Sequence, residues 1–561
     1  MSTSGLDSRD AGADGRGHRL GGLSVLTLAL AMAAPLVMYF GRMPGMGEFD
    51  YLIFYRLLFY NDLIGSLAML LALAVMLLIR PIREWVAHLA GWMSLHPGRA
   101  SLVVFVLFAV MARIVYQGFP LAMDEYVQLL QARVFASGQL VASYPPELLD
   151  RMVPPGFQGY FILVNHETGQ AASIYWPGLP LLMAPFAKLG GEWLLNPALA
   201  AIGLWLIGDL ASKASGQPGA RGWAMLAALA CPQYTVNALS FYAMPGVLTL
   251  NLLFFWLLLR PGWRAALLAG MVGSIALVMH NPLPHALFAM PVGIWLLMDG
   301  RRRLRLLPLA LGYLPLVLVL CLGWPMLMDV MGLHVAVPAE NATGFVELWS
   351  QKLRQTFAIP DANLLRVQAY SLWKALIWMA PGLVLVALLA RQRSDIQRVL
   401  LAGLLLSFAF YFFFPHDQGH GWGYRYIHHA WAVVAITAGV FAVADNGART
   451  QFASAVLGAG LLATPVFMLL TQQTIALSIA QQPTVPAQGR SLVFISNRQQ
   501  LYTADLVRNY PGDSERMVRM LGSDPEADAV LARGISPDAV RVSFDERGSV
   551  WMLPHHAGSF E

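Results

Sequence analysis

Long apolar runs alternate with short polar segments along most of the chain. Runs such as 63–79, 247–259 and 306–322 contain no charged residue, as expected of helices that cross a bilayer core about 30 Å thick. The pattern predicts about thirteen membrane-spanning helices. Their predicted positions are 23–40, 57–79, 101–117, 193–211, 222–239, 246–259, 265–280, 286–298, 306–327, 371–390, 399–414, 428–444 and 452–471. We therefore expect an all-α polytopic membrane protein.

The composition excludes a soluble globular chain. Hydrophobic residues make up 57% of the sequence and charged residues only 12%, whereas soluble domains carry roughly 25% charged residues. The two cysteines, Cys231 and Cys321, lie within apolar runs, so they provide neither a disulfide framework nor a Cys-rich metal site. The net charge of +5 does not indicate a nucleic-acid partner, because in a membrane protein the positions of Lys and Arg matter more than their sum.

The positions of the cations indicate the orientation of the chain. Arginines cluster at 301–305 and in alternate connecting segments, whereas the short segments on the other side carry only Arg42, Arg56 and Arg425. Cytoplasmic segments of membrane proteins carry an excess of Lys and Arg. The asymmetry predicts a cytoplasmic N-terminus and an outside C-terminus, in a membrane that we expect to be the bacterial inner membrane. The first apolar run also resembles a signal peptide, but an uncleaved helix fits the alternation better.

The topology divides the chain into four predicted regions. They are a cytoplasmic tail at 1–22, two extra N-terminal helices with a cytoplasmic loop at 23–100, a transmembrane core at 101–471, and a C-terminal module outside the membrane at 472–561. The core contains large outside loops at 118–192 and 328–370. We expect these loops to fold over one face, because structureless loops longer than about 15 residues are uncommon.

Two segments of the outside regions have a predicted structure. The apolar stretch 176–189 is interpreted as a re-entrant or interfacial helix, since a crossing there would invert every later loop. The C-terminal module is interpreted as a small soluble α/β unit, with strands near 491–495 and 541–544 and a helical stretch around 499–509.

Two adjacent carboxylates, Asp124 and Glu125, directly follow the third predicted crossing. A carboxylate at the membrane surface could act as a general base toward an incoming hydroxyl, because partial burial raises its pKa into a useful range. The pair also fits a helix N-terminus, where Asp is favoured as the cap and Glu complements the dipole. The stretch that follows is predicted to be amphipathic, with Val127, Leu130 and Val134 on one side.

These residues resemble a known family. The run 124–126 (Asp-Glu-Tyr), the Leu-Leu-Gln-Ala-Arg run that ends at Arg133, and Gly138 resemble the first outside loop of the GT-C glycosyltransferases. That superfamily includes the protein O-mannosyltransferases and the bacterial lipid A aminoarabinose transferases. The run 175–182 (Tyr-Trp-Pro-Gly-Leu-Pro-Leu-Leu) is similar to its proline-rich segment. The many-helix plan, the large first outside loop and the soluble C-terminal module also match, so the resemblance covers most of the chain.

The resemblance implies an inverting sugar transferase with a polyprenyl-phosphate-linked donor and a glycan, lipid or protein acceptor on the outside face. In that family the aspartate of the first-loop motif is the catalytic base, which is Asp124 here, and Glu125 beside it is a second catalytic candidate. Many members carry another acidic residue in the next outside turn, but 240–246 (Ser-Phe-Tyr-Ala-Met-Pro-Gly) has none. We therefore expect no cofactor and prefer a metal-independent mechanism to one assisted by a divalent ion.

The departing lipid phosphate needs cationic or hydrogen-bonding partners, and the segment 416–429 is the best candidate to supply them. It is dense in His, Arg and Gly. Arg425 offers a planar fork that matches phosphate oxygens, and the Gly-Tyr-Arg-Tyr run around it resembles an element of some bacterial members of the family. We predict that Arg425, His416, His420 and Tyr424 bind the donor phosphate.

Two other roles remain open for this segment. Its histidines and Asp417 could bind a divalent metal, although no standard metal motif fits. Its aromatic side chains could instead form an interfacial belt, with Arg425 reaching the headgroups. Three side chains elsewhere are supporting candidates, namely His280 and His285, which flank an outside turn, and Arg133.

A flippase or transporter of lipid-linked glycans is the main alternative function, since polar residues and broken helices in a membrane bundle often mark a substrate pathway. An O-antigen-ligase-like enzyme is another alternative, and it would not need the acidic pair. Against a transporter, the predicted helices hold few ionisable residues and no inverted repeat is visible. A glycosyltransferase whose partners include the membrane lipid is the leading interpretation.

Overall fold

The computed structural model describes residues 7–40, 56–333, 359–389, 393–414, 422–444, 447–487, 489–496, 503–512 and 516–553, together with Phe357. Its helices of eight or more residues are α1 (Asp7–Phe40), α2 (Asn61–Leu78), α3 (Arg80–Leu95), α4 (Pro97–Met111), α5 (Met123–Ala136), α6 (Gly178–Lys188), α7 (Leu195–Ser215), α8 (Ala220–Leu229), α9 (Met244–Leu258), α10 (Trp263–Leu277), α11 (Leu283–Leu297), α12 (Leu306–Leu316), α13 (Gly323–Val330), α14 (Ala362–Trp378), α15 (Pro381–Leu389), α16 (Asp395–Phe412), α17 (Ala432–Val443), α18 (Ala448–Ala480) and α19 (Pro525–Ile535). The strands are β1 (Ala142–Ser143), β2 (Ile162–Asn165), β3 (Gln170–Ser173), β4 (Arg490–Ile495), β5 (Met517–Leu521), β6 (Val540–Asp545) and β7 (Gly548–Leu553).

The predicted crossings are found as helices, and the chain is an integral membrane protein. Within the described ranges, seven helices are long and apolar enough to cross a membrane, or eight if α14 and α15, which meet at a bend of 100°, form one span. Four shorter apolar helices, α9, α10, α11 and α17, coincide with four further predicted crossings. The total of thirteen, the orientation and the kind of membrane stay predictions.

One predicted crossing, at 222–239, is a broken element. Helix α8 ends at Leu229, and a separate helix of six residues, Pro232–Asn237, follows it. The break coincides with Pro232, whose ring and missing N–H group interrupt a helical hydrogen-bond ladder. This short helix lies beside the candidate site and supplies two of the side chains that hold it.

The apolar stretch 176–189 forms α6, which has 11 residues. A spanning helix needs about 20 residues, so the length agrees with the expectation that this stretch does not cross. Helix α6 packs along α5, the helix that carries the acidic pair.

Helix α5 is buried on all sides, so the prediction of an amphipathic helix was wrong. Val127 and Val134 contact an apolar cluster that includes the C-terminal module. Leu129 and Ala132 contact the cluster formed by the apolar helices. The C-terminal module covers the side of α5 that carries Val127 and Val134, and the apolar helices cover the opposite side, so α5 has no water-facing side.

The C-terminal module contains a four-stranded sheet in the order β5-β4-β7-β6. Strands β4 and β5 are parallel and the other pairs are antiparallel. Strands β4 and β6 confirm the two predicted strands. The helix predicted around 499–509 was wrong over its described part, where a 3-10 turn at Thr503–Leu506 leads into extended chain; the helix of the module is α19.

The first outside loop and the C-terminal module share one apolar core. The loop forms a three-stranded sheet in the order β1-β3-β2, and its Leu149 and Ile162 belong to the same cluster as Phe494 and Trp551. These two outside regions therefore pack together, whereas 334–356 of the second outside loop lies outside the described residues. The division of the chain into four domains stays a prediction.

Candidate active site

Asp124 and Arg425 form an ion pair at the N-terminal end of α5. The Nη1 atom of Arg425 lies 2.8 Å from Oδ2 of Asp124, and the side chains are only 13% and 19% exposed. Asp124 lies in the first turn of α5, and Arg425 begins a 3-10 turn that ends at Ile427. The two residues that the sequence placed in separate outside segments are therefore in direct contact.

Tyr175 and His280 complete the surroundings of Asp124. The hydroxyl of Tyr175 donates a hydrogen bond to Oδ1 of Asp124. The imidazole of His280 lies against the Tyr175 ring, with 3.9 Å between ring centroids. The backbone N–H of Trp176 donates to the carbonyl of His280 across 3.1 Å, which brings this loop and the α10–α11 turn together.

These residues line a cavity of about 530 Å³, a size typical of small-molecule sites. Its lining includes ten polar or aromatic residues, namely Asp124, Tyr160, Tyr175, Tyr242, His280, Asn281, Tyr411, Arg425, Tyr426 and His429. The lining also includes six apolar residues, namely Ala243, Met244, Val247, Leu283, Pro284 and Phe414. The cavity can thus receive a ligand that has a polar, charged part and an apolar part.

The charges of Asp124 and Arg425 stabilise each other. Burial would raise the pKa of Asp124, but Arg425, with help from His280 and Tyr175, holds it below the usual value for an aspartate. Burial likewise opposes the charge of Arg425, but the Asp124 carboxylate raises the pKa of the guanidinium above its usual value. Without a ligand, both groups are ionised and paired.

His280 is neutral at physiological pH. Burial lowers the pKa of its imidazole to about 4. Its Nδ1 lies 3.3 Å from Nε2 of Gln128, one turn after Asp124 on α5. A neutral imidazole in this wall can donate or accept one hydrogen bond to a bound polar group, and it adds no second positive charge to the cavity.

Glu125 caps α5 and does not line the cavity. Its Oε2 accepts hydrogen bonds from the backbone N–H groups of Leu121 and Ala122 across 2.8 and 3.2 Å, and its Oε1 accepts from the N–H of Phe241 across 2.9 Å. Burial raises the pKa of Glu125 to about 7, although these N–H groups oppose the rise. The sequence favoured Asp as the helix cap, but in the structure the acidic neighbour takes that role and leaves Asp124 for the cavity.

The turn 240–246 contributes an aromatic ring to the cavity in place of a carboxylate. The guanidinium carbon of Arg425 lies 5.1 Å from the centre of the Tyr242 ring, within the range of a cation–π contact. The same turn supplies the Phe241 N–H that binds Glu125. Arg425 is therefore held between the carboxylate of Asp124 and the face of Tyr242.

The backbone before Arg425 is fixed by the Pro232–Asn237 helix. Gln233 donates from Nε2 to the carbonyl of Tyr424 across 3.2 Å and accepts from its N–H across 3.3 Å. Asn237 donates to the carbonyl of Trp422 across 2.9 Å. Gly423 has a φ of 74°, a left-handed conformation that favours glycine. Buried amides thus set the direction from which Arg425 enters the cavity.

The other predicted site residues lie elsewhere. Tyr424 is buried behind the cavity wall, where its hydroxyl lies 3.4 Å from Oε1 of Gln368. The Nδ1 of His285 lies 2.6 Å from Oδ1 of Asn251 in a buried polar cluster. His416 and His420 lie outside the described residues.

Arg133 also lies outside the cavity. Its Nη2 is 2.6 Å from Oε1 of Glu192, and its guanidinium lies over the ring of Tyr510 at 4.1 Å. Within the described ranges, no group of three or more His, Cys, Asp or Glu side chains could hold a metal ion, and metal independence stays a prediction.

Several cavity residues were not predicted from the sequence. Tyr175 lies in a run that was recognised for its prolines, and Tyr242 lies in a turn that was noted for its missing carboxylate. Tyr411, at the end of an apolar helix, gave no separate signal, and His429 was noted only as one of the histidines of the segment 416–429. The sequence feature that could have indicated these cavity residues was the density of aromatic residues at helix ends, but this feature is also typical of an interfacial belt.

Comparisons with known proteins find similarity at the level of the fold. No protein-family profile and no curated protein matches the chain. The crystal structure of ArnT from Cupriavidus metallidurans bound to undecaprenyl phosphate shares 15% sequence identity and a TM-score of 0.47, over 82% of this chain and 99% of that chain. The apo structure of the same ArnT shares 14% identity and a TM-score of 0.46, over 81% of this chain and 98% of that chain.

Proposed function

We propose that the protein is a membrane glycosyltransferase that moves a sugar from a polyprenyl-phosphate-linked donor to an acceptor hydroxyl. The observation that carries this proposal is the contact of Asp124 with Arg425, 2.8 Å apart, in one cavity that polar and apolar residues line together. A carboxylate can accept the acceptor's proton and a guanidinium can bind the donor's phosphate. The two groups needed for the reaction are therefore adjacent.

Donor binding places the lipid phosphate against Arg425. Its planar guanidinium can bond two phosphate oxygens at once. It now bonds Asp124 through Nη1 and contacts Tyr242 with its face, so a phosphate competes with Asp124 for the cation. Val247, Leu283 and Phe414, which line the same cavity, are suited to the first part of the prenyl chain.

Sugar transfer follows as a single displacement. The acceptor oxygen attacks the anomeric carbon while its proton passes to Asp124. The bond between that carbon and the phosphate oxygen breaks, and its electron pair stays on the lipid phosphate. Arg425 stabilises the charge that grows there, and attack opposite the leaving group inverts the anomeric centre.

The ion pair explains how Asp124 can be ionised and still act as a base. Arg425 holds the pKa of Asp124 low in the free protein, which makes it a weak base. A donor phosphate shares the positive charge of Arg425, so the basicity of Asp124 increases only when the donor is present. Tyr175 keeps Oδ1 of Asp124 oriented through its hydroxyl, and His280 offers a neutral partner to a sugar hydroxyl.

The test is sugar transfer by Asp124→Asn in nanodiscs, with undecaprenyl-phosphate-linked mannose, glucose and aminoarabinose as donors. Asparagine keeps the shape but cannot take a proton, so we expect kcat to fall by about 10²- to 10⁴-fold. Binding of undecaprenyl phosphate is expected to persist, because Arg425 remains. Asp150→Asn is the matched control, since the Asp150 side chain is 62% exposed in the same outside loop.

Undiminished transfer by Asp124→Asn would exclude the proposed base. If wild-type proteoliposomes move a labelled lipid-linked sugar across the bilayer without forming any transfer product, the chain is a transporter and the proposal fails.

A further inference from the structure

Arg508 is a buried cation in the C-terminal module that the proposed reaction does not use. It lies in the extended chain after the 3-10 turn Thr503–Leu506 and is 4% exposed. Its Nη2 donates to the carbonyl of Leu121 across 3.0 Å, and its Nη1 donates to the carbonyl of Pro120. A buried guanidinium must be satisfied by several acceptors, and here two of them precede α5 directly.

Arg508 and Glu125 hold the same peptide units from opposite sides. The N–H of Leu121 donates to Oε2 of Glu125 across 2.8 Å, while its carbonyl accepts from Arg508. The N–H of Ala122 also donates to Glu125. Every polar backbone group of Leu121 is thus bound by a charged or titratable side chain, three residues before Asp124.

The guanidinium of Arg508 is also enclosed by aromatic rings. Its central carbon lies 4.4 Å from the ring centre of Phe119 and 5.5 Å from that of Tyr126. Phe119 precedes the turn and Tyr126 follows Asp124 on α5, so one side chain contacts both ends of the segment that places Asp124.

The next residue, Asn509, extends this attachment along α5. Its carbonyl accepts hydrogen bonds from the hydroxyls of Tyr126 and Tyr144, each across 3.1 Å. Its side-chain amide donates to the carbonyl of Met152 across 3.2 Å. The segment 508–509 therefore attaches the C-terminal module to the turn before α5 and to the outside loop.

We propose that Arg508 is a positioning residue, which the C-terminal module supplies to fix the turn 120–122 and thereby the direction of Asp124 toward Arg425. The proposal rests on the proposed function for its catalytic consequence. It gives the C-terminal module a role in the reaction although none of its described residues lines the cavity. Misplacement of a reacting group by about 1 Å can cost roughly 10²-fold in rate, so a small shift of this turn is enough.

The experiment compares Arg508→Ala and Arg508→Lys with Arg541→Ala in nanodiscs. Arg541 is exposed on β6 of the same module, and its replacement removes a positive charge without touching α5. For Arg508→Ala we expect kcat to fall by about 10- to 100-fold, with the donor KM and undecaprenyl phosphate binding nearly unchanged, because Arg425 is intact. Lysine can reach one of the two carbonyls, so Arg508→Lys should recover part of kcat. Arg541→Ala should behave as wild type.

Hydrogen exchange gives a second readout that does not depend on activity. The amides of Leu121 and Ala122 are bound to Glu125, and we expect them to exchange faster in Arg508→Ala, while the amides of β4 and β7 keep their protection. Faster exchange throughout the module would show that the module of Arg508→Ala no longer packs against α5. In that case, the kcat of Arg508→Lys and the exchange of its Leu121 and Ala122 amides would test the inference.

Unchanged kcat and unchanged exchange at Leu121 in a docked variant would overturn the inference. An equal loss of undecaprenyl phosphate binding and kcat would also overturn it, because Arg508 would then act on binding. If wild type transfers no sugar from any of the three donors, the proposed function fails. The exchange rates of the Leu121 and Ala122 amides would still show whether Arg508 fixes the turn.

Discussion

Arg425 donates to Asp124 across 2.8 Å although 301 residues separate them in the sequence. The pair is neutral as a whole, and each member is mostly buried. A phosphate that enters the cavity adds negative charge, for which Arg425 is the available cation among the described lining residues. Loss of Arg425 should therefore mainly weaken phosphate binding, whereas loss of Asp124 should mainly slow the chemical step.

Replacement of Arg425 should weaken donor binding more than any other single change in the cavity. Hydrogen bonds to charged groups contribute about 1.5–3 kcal/mol each, so we expect Arg425→Ala to lower the affinity for undecaprenyl phosphate by at least about tenfold. Arg425→Lys should bind with intermediate affinity, since an ammonium cannot form the bidentate contact. Isothermal titration or native mass spectrometry in nanodiscs measures the change.

Arg366→Ala is the control for this prediction, because Arg366 is exposed on α14. Wild-type affinity in Arg425→Ala, with normal affinity in the control, would show that the phosphate binds elsewhere.

Glu125 should make stability depend on pH. Its pKa is 4.5 in a model peptide and about 7 in the folded protein because of burial. Between these values the folded state keeps a proton that the unfolded state loses, so the free energy of unfolding falls as pH rises, by roughly 3 kcal/mol in total. The contribution is complete below about pH 4.5 and lost above about pH 7.

The pH dependence can be isolated with Glu125→Gln, which does not titrate. In detergent, the melting temperature of wild type should fall relative to that of Glu125→Gln as the pH rises from 4.5 to 8. Glu147→Gln, at an exposed position in the same loop, should run parallel to wild type. A constant difference between wild type and Glu125→Gln would contradict the proposed ionisation.

The sequence allowed the prediction of elements whose signal is local. Apolar runs predicted the helices, and the strand-like runs at 491–495 and 541–544 predicted β4 and β6. The break at Pro232 and the bend between α14 and α15 were read as continuous crossings, because hydropathy measures length and polarity but not direction. The burial of α5 was missed, since the module that covers it begins more than three hundred residues later.

The candidate site could be predicted only in part. The acidic pair was identified, but the division of labour between Asp124 and Glu125 depends on which carboxylate meets the N–H of Phe241. Arg425 was predicted to bind phosphate, and this stays a prediction. Its contact with Asp124 depends on the backbone of Tyr424 being held by Gln233. Such contacts join segments far apart in the chain, and no pattern in one segment reveals them.

Gly178→Ala should disturb the cavity from outside it. A Cβ atom at Gly178 would lie 2.5 Å from the carbonyl oxygen of Val278, so one backbone segment would have to move. Overpacking of this kind costs about 1–3 kcal/mol, and the displaced segment carries His280. We expect a lower melting temperature and a lower kcat. At Gly156 an added Cβ meets no atom within 4 Å, so Gly156→Ala should leave the melting temperature and kcat unchanged. Equal effects of the two substitutions would show that the close approach of Gly178 to Val278 does not determine either quantity.

A buried ion pair between candidate spans should stabilise the chain only while it is intact. The Nζ of Lys374 lies 3.0 Å from Oδ2 of Asp62, and both side chains are at most 1% exposed. Lys374 also donates to the carbonyl of Leu57, and Trp378 donates to Oδ1 of Asp62. The pair thus connects α2 with α14, just before the bend into α15.

Removal of one partner leaves a buried charge without its counterion, which typically costs 3–5 kcal/mol, so Asp62→Asn should unfold at a clearly lower denaturant concentration than wild type.

The double variant Asp62→Asn, Lys374→Met removes both charges and keeps an acceptor for Trp378, and we expect it to be more stable than Asp62→Asn alone. Glu84→Gln breaks an exposed pair with Arg80 and should change stability by no more than about 1 kcal/mol. If the stability losses of the two single substitutions simply add up in the double variant, Asp62 and Lys374 act independently. Their pairing would then not explain why two charged residues lie between apolar helices.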